Sequence, residues 1–320
     1  MSDTGARPFD RRNVPEYVVE SQWLAPDGWP LRRADWPQPE ACRGALLFVP
    51  GRGDFFEKYL ETLDHWFRCG WAVTALDWRG QGLSGRLGTD QMTGHVDDFA
   101  VWIADLGAFW AEWQLAVSGP HVLVGHSMGG HLALRAVADA GVRPDALVLS
   151  APMLGLITHG LPAALFRWAA NVMCALGDPR RPAWKWSEKP GEVPADRSAL
   201  LTHDPARYGD ELYWRKARPG LVMGPGSWGW LRAAFTSLRG LDRKDVLARV
   251  TVPVFIIATS ADRLVDSAAI DRAARWLPNA QILRFGKEAR HEILREADPV
   301  RRRALAAIDD FLDRVGPAPK

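Results

Sequence analysis

Cysteine is scarce in this chain: Cys42, Cys69 and Cys174 are the only three in 320 residues, and they lie far apart. An odd, widely spaced set argues against a disulfide framework or a zinc site built from cysteines, and leaves small buried fillers as the expected role. Long apolar runs are lacking as well. Leu161 to Leu176 is shorter than a bilayer span and is interrupted by Arg167, so it does not read as a transmembrane helix. Met1 to Asn13 is polar, with Arg7, Arg11 and Arg12 and no apolar segment behind them. No secretory signal is read there, and a cytoplasmic protein is expected. Neither sign of charge dominates, since 40 Lys and Arg face 38 Asp and Glu. No stretch reads as a nucleic-acid motif, so nucleic acid is not an expected partner. The near-balance hides a local surplus of five, because residues 152–240 hold 12 Lys and Arg against 7 Asp and Glu. A solvated face is the ordinary reading of that surplus, and a phosphate-bearing substrate or an anionic membrane surface is the alternative.

What the chain does have is enough apolar material, 47% of its residues, to bury a large core. Tyr17 to Ala25 and Trp29 to Ala34, joined by Pro26-Asp27-Gly28, read as a β-hairpin. The runs Ala45 to Val49, Ala72 to Leu76, His121 to Val124, Ala146 to Leu149, Val254 to Ala258 and Ile282 to Phe285 are short, continuous and apolar. They suit the strands of a mostly parallel sheet that is buried on both faces. Helical stretches alternate with them: Phe55 to Cys69, Val96 to Val117, Met128 to Ala140, Ser267 to Leu277 and Pro299 to Val315. This is the pattern of an α/β fold with helices on both faces of the sheet. The alternation stops after Ser150-Ala151-Pro152 and resumes near Val250. We read residues 1–151 and 241–320 as the core and 152–240 as an inserted helical cap, with helices around Ala163 to Leu176 and Tyr208 to Lys216.

Gly125-His126-Ser127-Met128-Gly129 stands between the run His121 to Val124 and a helical stretch. A G-x-S-x-G pentapeptide at a strand-to-helix turn is a nucleophile elbow: its glycines permit a strained turn that lifts the serine hydroxyl clear of the sheet. A serine nucleophile needs a base, and the base needs an oriented acid behind it. Asp262 follows the Val254 to Ala258 run, and His291 is the only one of eight histidines after the last strand-like run, so the chain order Ser, acid, His is met. Asp266 stands close enough to compete with Asp262. Asp262 is preferred because it ends the strand's loop, and Asp266 is read as the cap of the helix that opens at Ser267. Oxyanion donors are expected from the backbone N–H of Met128, next after the nucleophile, and from that of Arg52 in the loop Pro50-Gly51-Arg52-Gly53-Asp54. Ser84 is not a second nucleophile, because Arg86 occupies the position of the closing glycine.

With these residues placed, together with Asp77-Trp78-Arg79-Gly80-Gln81-Gly82-Leu83-Ser84 and Ala289-Arg290-His291-Glu292, the chain resembles the lysophospholipase and monoacylglycerol-lipase branch of the serine α/β-hydrolases. The resemblance is nearest to the bacterial L2-type lysophospholipases and spans roughly Tyr17 to Leu312. It implies the α/β-hydrolase fold with a cap, Ser127 as nucleophile, Asp262 and His291 as its partners, and Arg52 and Met128 as oxyanion donors. One departure is that Pro50-Gly51 stands where many members carry His-Gly. Asp77 and Arg79 are expected to brace their loop.

Six of the sixteen tryptophans, Trp168, Trp184, Trp186, Trp214, Trp228 and Trp230, fall in the expected cap. Such residues suit a greasy channel or a lipid surface, while core packing is the expected fate of at least half of them. Trp228 and Trp230, in the loop-like Gly224 to Trp230, are the candidate contacts to the acyl chain. The expected activity is hydrolysis of a monoacyl lipid ester through an acyl-enzyme, with lysophospholipid ahead of monoacylglycerol and peripheral membrane contact through the cap. That chemistry calls for no metal or organic cofactor. The rivals are a short-chain carboxylesterase, a cap-bearing serine peptidase and a ligand-binding module without turnover.

Overall fold

The computed structural model describes residues 9–158, 160–185 and 195–315. The apolar runs become strands: β1 (Val19–Leu24), β2 (Pro30–Asp35), β3 (Gly44–Val49), β4 (Trp71–Leu76), β5 (His121–His126), β6 (Ala146–Ser150), β7 (Val254–Thr259) and β8 (Ala280–Phe285). They form one sheet of eight strands in the order β1-β2-β4-β3-β5-β6-β7-β8. From β4 to β8 every pairing is parallel, while β1 and β2 form an antiparallel hairpin that joins the sheet edge through β4. Gly28 turns that hairpin at a φ of +82°, a region that other residues rarely adopt.

The helices are α1 (Leu60–Arg68), α2 (Ala100–Ala116), α3 (Met128–Asp139), α4 (Ala163–Ala175), α5 (Ala195–Leu201), α6 (Pro205–Ala217), α7 (Trp228–Leu241), α8 (Lys244–Leu247), α9 (Ser267–Trp276) and α10 (Asp298–Leu312). Along β3, Ala45, Leu47 and Val49 face one apolar cluster with α2, α3 and α9, while Leu46 and Phe48 face a second with α1 and α10. Period-two alternation thus still operates in a strand with no polar residue, because both of its faces are covered. A mostly parallel sheet wound on both faces with this strand order is the α/β-hydrolase fold. The parallel strands share one direction, so the loops after β3, β5, β6, β7 and β8 all emerge at one edge of the sheet.

Among the described residues four helices, α4 to α7, lie between β6 and α8, where two are expected around Ala163 to Leu176 and Tyr208 to Lys216. The helix α7 is the clearest difference. Gly224-Pro225-Gly226 hides its start, yet Ser227 caps it, with its Oγ accepting from Trp230 N at 3.0 Å. Trp228 and Trp230 therefore sit in the first turn of a helix and not in a loop. All three cysteines are free thiols, in line with the reading against a disulfide framework, but they are only partly buried and not the buried fillers expected. Asp77 and Arg79 do brace their loop. Asp77 Oδ2 accepts from Leu83 N and from Arg32, and Arg79 lies between Asp27 and Asp105. Ser84 is buried, with its hydroxyl donating to Asp77 O.

Candidate active site

The backbone at Ser127 has φ +53° and ψ −118°, a strained conformation for a residue with a side chain. The flanking glycines make it possible. A Cβ on Gly129 would lie 2.3 Å from Pro50 O, and one on Gly125 would lie 2.7 Å from Gly129 O. Close packing of the turn against neighbouring backbone therefore demands glycine at both places. Ser127 N donates to Ser150 O at 2.9 Å, which fastens the turn to the end of β6.

Three loops deliver one line of hydrogen bonds. Ser127 Oγ lies 2.9 Å from His291 Nε2, and His291 Nδ1 lies 2.7 Å from Asp262 Oδ2. The other carboxylate oxygen of Asp262 accepts from Leu264 N at 2.8 Å and from Val265 N at 3.0 Å, so its rotamer is fixed from both ends. Burial alone would raise the Asp262 pKa, but His291 and the two backbone donors outweigh it and hold the group below its usual value. Burial alone would likewise lower His291, and the Asp262 carboxylate outweighs it and holds the imidazole above its usual value. Asp266 does something else. Its side chain accepts from Ala268 N at 2.9 Å, as the N-cap of α9.

Met128 opens α3, where the first N–H groups have no acceptor within the helix. In the loop after β3, Gly51 N donates to Asp54 Oδ2 at 3.2 Å and Gly53 N to Gln81 Oε1 at 2.7 Å, which fixes the backbone on either side of Arg52. The Arg52 side chain has a part that sequence reading missed. Its guanidinium donates to Gly224 O at 2.8 Å and lies over the rings of Trp184 and Trp230, 5.4 and 5.0 Å from their centroids.

Sequence reading also missed a buried ionic hub. Lys58, with a fully buried side chain, places Nζ 2.5 Å from Asp54, 2.6 Å from Glu292 and 3.1 Å from Glu211. These carboxylates come from the loop after β3, the residue next to His291, and α6. Arg295 pairs with Glu211 and Glu292. The ring of His126 lies 5.0 Å from that of His291, and burial together with His291 pushes its pKa down to about 4, so His126 stays neutral. The only sequence clue was proximity: Asp54 closes the loop after β3 and Glu292 follows His291.

Above the line of hydrogen bonds lies a cavity of about 720 Å³, bounded by Ser127 and His291 below and by apolar residues including Met153, Leu156, Phe166 and Leu231. Trp184, Trp228 and Trp230 line it too, although Trp230 is only 5% exposed and packs on Phe99. Of the other tryptophans singled out, Trp214 is on the buried face of α6, Trp168 is 62% exposed, and Trp186 falls outside the described residues.

The sequence profile of the serine aminopeptidase S33 family of hydrolases matches residues 40–298. The chain belongs to this family. The chain is 30% identical over 313 residues to lysophospholipase L2 of Escherichia coli strain K12, a match covering 92% of this chain and 87% of that one. It is 25% identical over 284 residues to a probable lysophospholipase L2 of Haemophilus influenzae, covering 86% of each. Among solved structures it is similar to a soluble variant of monoglyceride lipase from Saccharomyces cerevisiae, with a TM-score of 0.73 and 19% identity over 97% of this chain and all of that one. A carboxyl esterase from Bacillus coagulans is as similar in fold, with a TM-score of 0.73 and 18% identity over 93% of this chain and 98% of that one. Membership of the S33 family thus rests on the sequence profile, and the two solved structures agree with its fold.

Proposed function

We propose that the protein is a serine hydrolase of monoacyl lipid esters, with lysophospholipid as its substrate class. The reading is carried by the run of hydrogen bonds from Ser127 through His291 to Asp262 at the floor of a largely apolar cavity. Ser127 Oγ attacks the ester carbonyl carbon while its proton passes to His291 Nε2, and Asp262 stabilises the imidazolium through Nδ1–H. The oxyanion takes hydrogen bonds from the backbone N–H groups of Met128 and Arg52. The tetrahedral species collapses to an acyl-Ser127 as His291 returns the proton to the departing alcohol. Water then attacks the acyl group, His291 takes its proton, and the fatty acid leaves as Ser127 recovers its hydroxyl hydrogen.

Identity of 30% over most of the chain to a lysophospholipase supports a phosphodiester headgroup. So does a second cavity, about 430 Å³, which shares Leu156, Thr158 and Phe235 with the first and is lined by three cations, Arg167, Arg239 and Arg272, against two acids, Asp242 and Asp266. Arg272 is paired with Asp242 at 2.8 Å, whereas Arg167 and Arg239 have no ion pair among the described residues. Residues 152–240 act in this reading as a cap over the cavity, and α4 as its contact with a membrane surface. Leu161, Leu165, Trp168 and Leu176 recur at helical spacing along α4 and its two ends, and they are between 47% and 77% exposed. Among the described residues no helix is long and apolar enough to cross a membrane.

A fluorophosphonate probe read by intact mass should add once to the wild type and not to Ser127→Ala. Steady-state rates on a lysophospholipid, a monoacylglycerol, a short acyl ester and an amide then rank the substrates. Labelling of the Ser127→Ala variant, or an amide cleaved faster than every ester, would overturn the proposal. Leu165→Asp with Trp168→Asp should lose co-sedimentation with anionic vesicles while keeping turnover of a soluble short ester, and unchanged sedimentation would remove the membrane role of α4.

A further inference from the structure

His65, Cys69 and Asp309 meet on the face of the sheet that carries α1 and α10, away from the cavity. His65 belongs to α1, Cys69 follows it by one turn directly after the helix, and Asp309 reaches them from α10. His65 Nε2 lies 2.7 Å from Asp309 Oδ2 and 3.7 Å from Cys69 Sγ, and the three donor atoms all fall within 4.8 Å of one another.

The geometry differs from that of the active site in one decisive way. A proton relay places the acid at one ring nitrogen and the nucleophile at the other, as Asp262 and Ser127 do around His291. Around His65, the carboxylate and the sulfur both face the same nitrogen, Nε2. One N–H bonds well to only one of them and leaves the sulfur at most a weak, shared contact. Convergence of N, S and O donors on a single point is what a metal ion requires.

We propose that His65, Cys69 and Asp309 form a binding site for a borderline-soft divalent cation of the zinc class. Tetrahedral Zn²⁺ with Zn–N and Zn–S bonds of about 2.0 and 2.3 Å needs the nitrogen and sulfur roughly 3.5 Å apart, close to the 3.7 Å found. The His65–Asp309 hydrogen bond opens by about 0.6 Å as its proton leaves. Binding releases the Nε2 proton and the thiol proton to solvent, and forms bonds from Nε2, Sγ and a carboxylate oxygen to the ion. Water completes the fourth position. Asp309 Oδ1 is buried without a hydrogen-bond partner, so the carboxylate has capacity left to use. All three residues are half-buried, within reach of solvent ions. The other close set of histidine and carboxylate donors among the described residues, Asp54, His126 and Glu292, is different, because its two acids already pair with the Lys58 ammonium, and Glu292 also with Arg295.

The full chain, reduced and freed of metal by chelator, should develop a thiolate-to-cobalt charge-transfer band on titration with Co²⁺. The band should saturate at one equivalent and be discharged by Zn²⁺, and Zn²⁺ alone should raise Tm. Cys69→Ser and His65→Gln should lose the band and bind more weakly by at least the roughly 10–100-fold that changes in a metal's outer shell cost. Cys42→Ser and Cys174→Ser should keep it. Absence of the band in the wild type, or its survival in Cys69→Ser or His65→Gln, would overturn the assignment. Because the wild-type titration alone can refute it, the test does not depend on every variant folding.

Discussion

Asp262 and Asp266 stand four residues apart after the same strand, are chemically identical, and do unrelated things because of which donors reach them. Asp262 receives His291 and two backbone N–H groups, whereas Asp266 receives Ala268 N alone. Asp262→Asn should lower kcat by about 10⁴-fold, since the wrong imidazole tautomer is then favoured. Asp266→Ala should leave kcat in place and cost about 1 kcal/mol of stability through loss of the helix cap. Ester turnover and urea unfolding on the two variants check both, and the reverse ranking of the two kcat values would refute the assignment. The pH profile belongs to the same scale. His291 must be neutral to accept the Ser127 proton, and its pKa is held above the ordinary 6.5. The acid limb of kcat/KM should therefore have its midpoint above 6.5, with activity falling away as pH drops through it. A midpoint at or below that value would contradict the Asp262 pairing.

At the scale of elements, local chemistry made most strands and the elbow legible. Continuous Val, Leu and Ala runs are what a doubly covered sheet needs, and Gly125 and Gly129 mark a turn that tolerates no Cβ. Gly129→Ala should lose soluble expression or several kcal/mol, because its methyl would overlap backbone. What sequence could not show depends on pairings between distant segments. The helix α7 was masked by the glycines before Ser227, and nothing local signals that Lys58 meets Glu211 and Glu292. Lys58→Met should cost about 3–5 kcal/mol in urea unfolding, since it strands buried carboxylates without their cation. A cost under about 1 kcal/mol would show that the hub is dispensable.

For the whole molecule, the cavity sets the selectivity expected of a lipid esterase. Trp228 is the tryptophan to truncate, because it lines the cavity while remaining half-buried. Trp228→Ala should lower kcat/KM for long acyl esters more than for butyryl or acetyl esters, by up to about 0.8 kcal/mol for each methylene that the indole no longer shields from water. Equal reductions would make it a packing residue. Trp230 is embedded between Phe99 and Arg52, so Trp230→Ala should chiefly cost stability, about 3–5 kcal/mol.

The helices between β6 and α8 are not held alike. The helix α6 is riveted to the floor of the molecule, with Glu211 in the Lys58 hub and Arg207 paired to Glu61 and Asp298. The helix α4 has only one fully buried residue, Ala170, and leans on α7 through apolar packing such as Phe166 on Phe235. In the proposed cap, α6 is therefore the anchored part and α4 the compliant one, in the manner of a door with its hinge on the α6 side. Because Lys58 also pairs with Asp54 in the loop after β3 and with Glu292 beside His291, one buried ion ties α6 to the reactive loops, and in the proposed cap α4 would move without disturbing the hydrogen bonds at Ser127. Amide hydrogen exchange should report this as markedly faster opening of α4 than of α6, with lipid arriving from the α4 side.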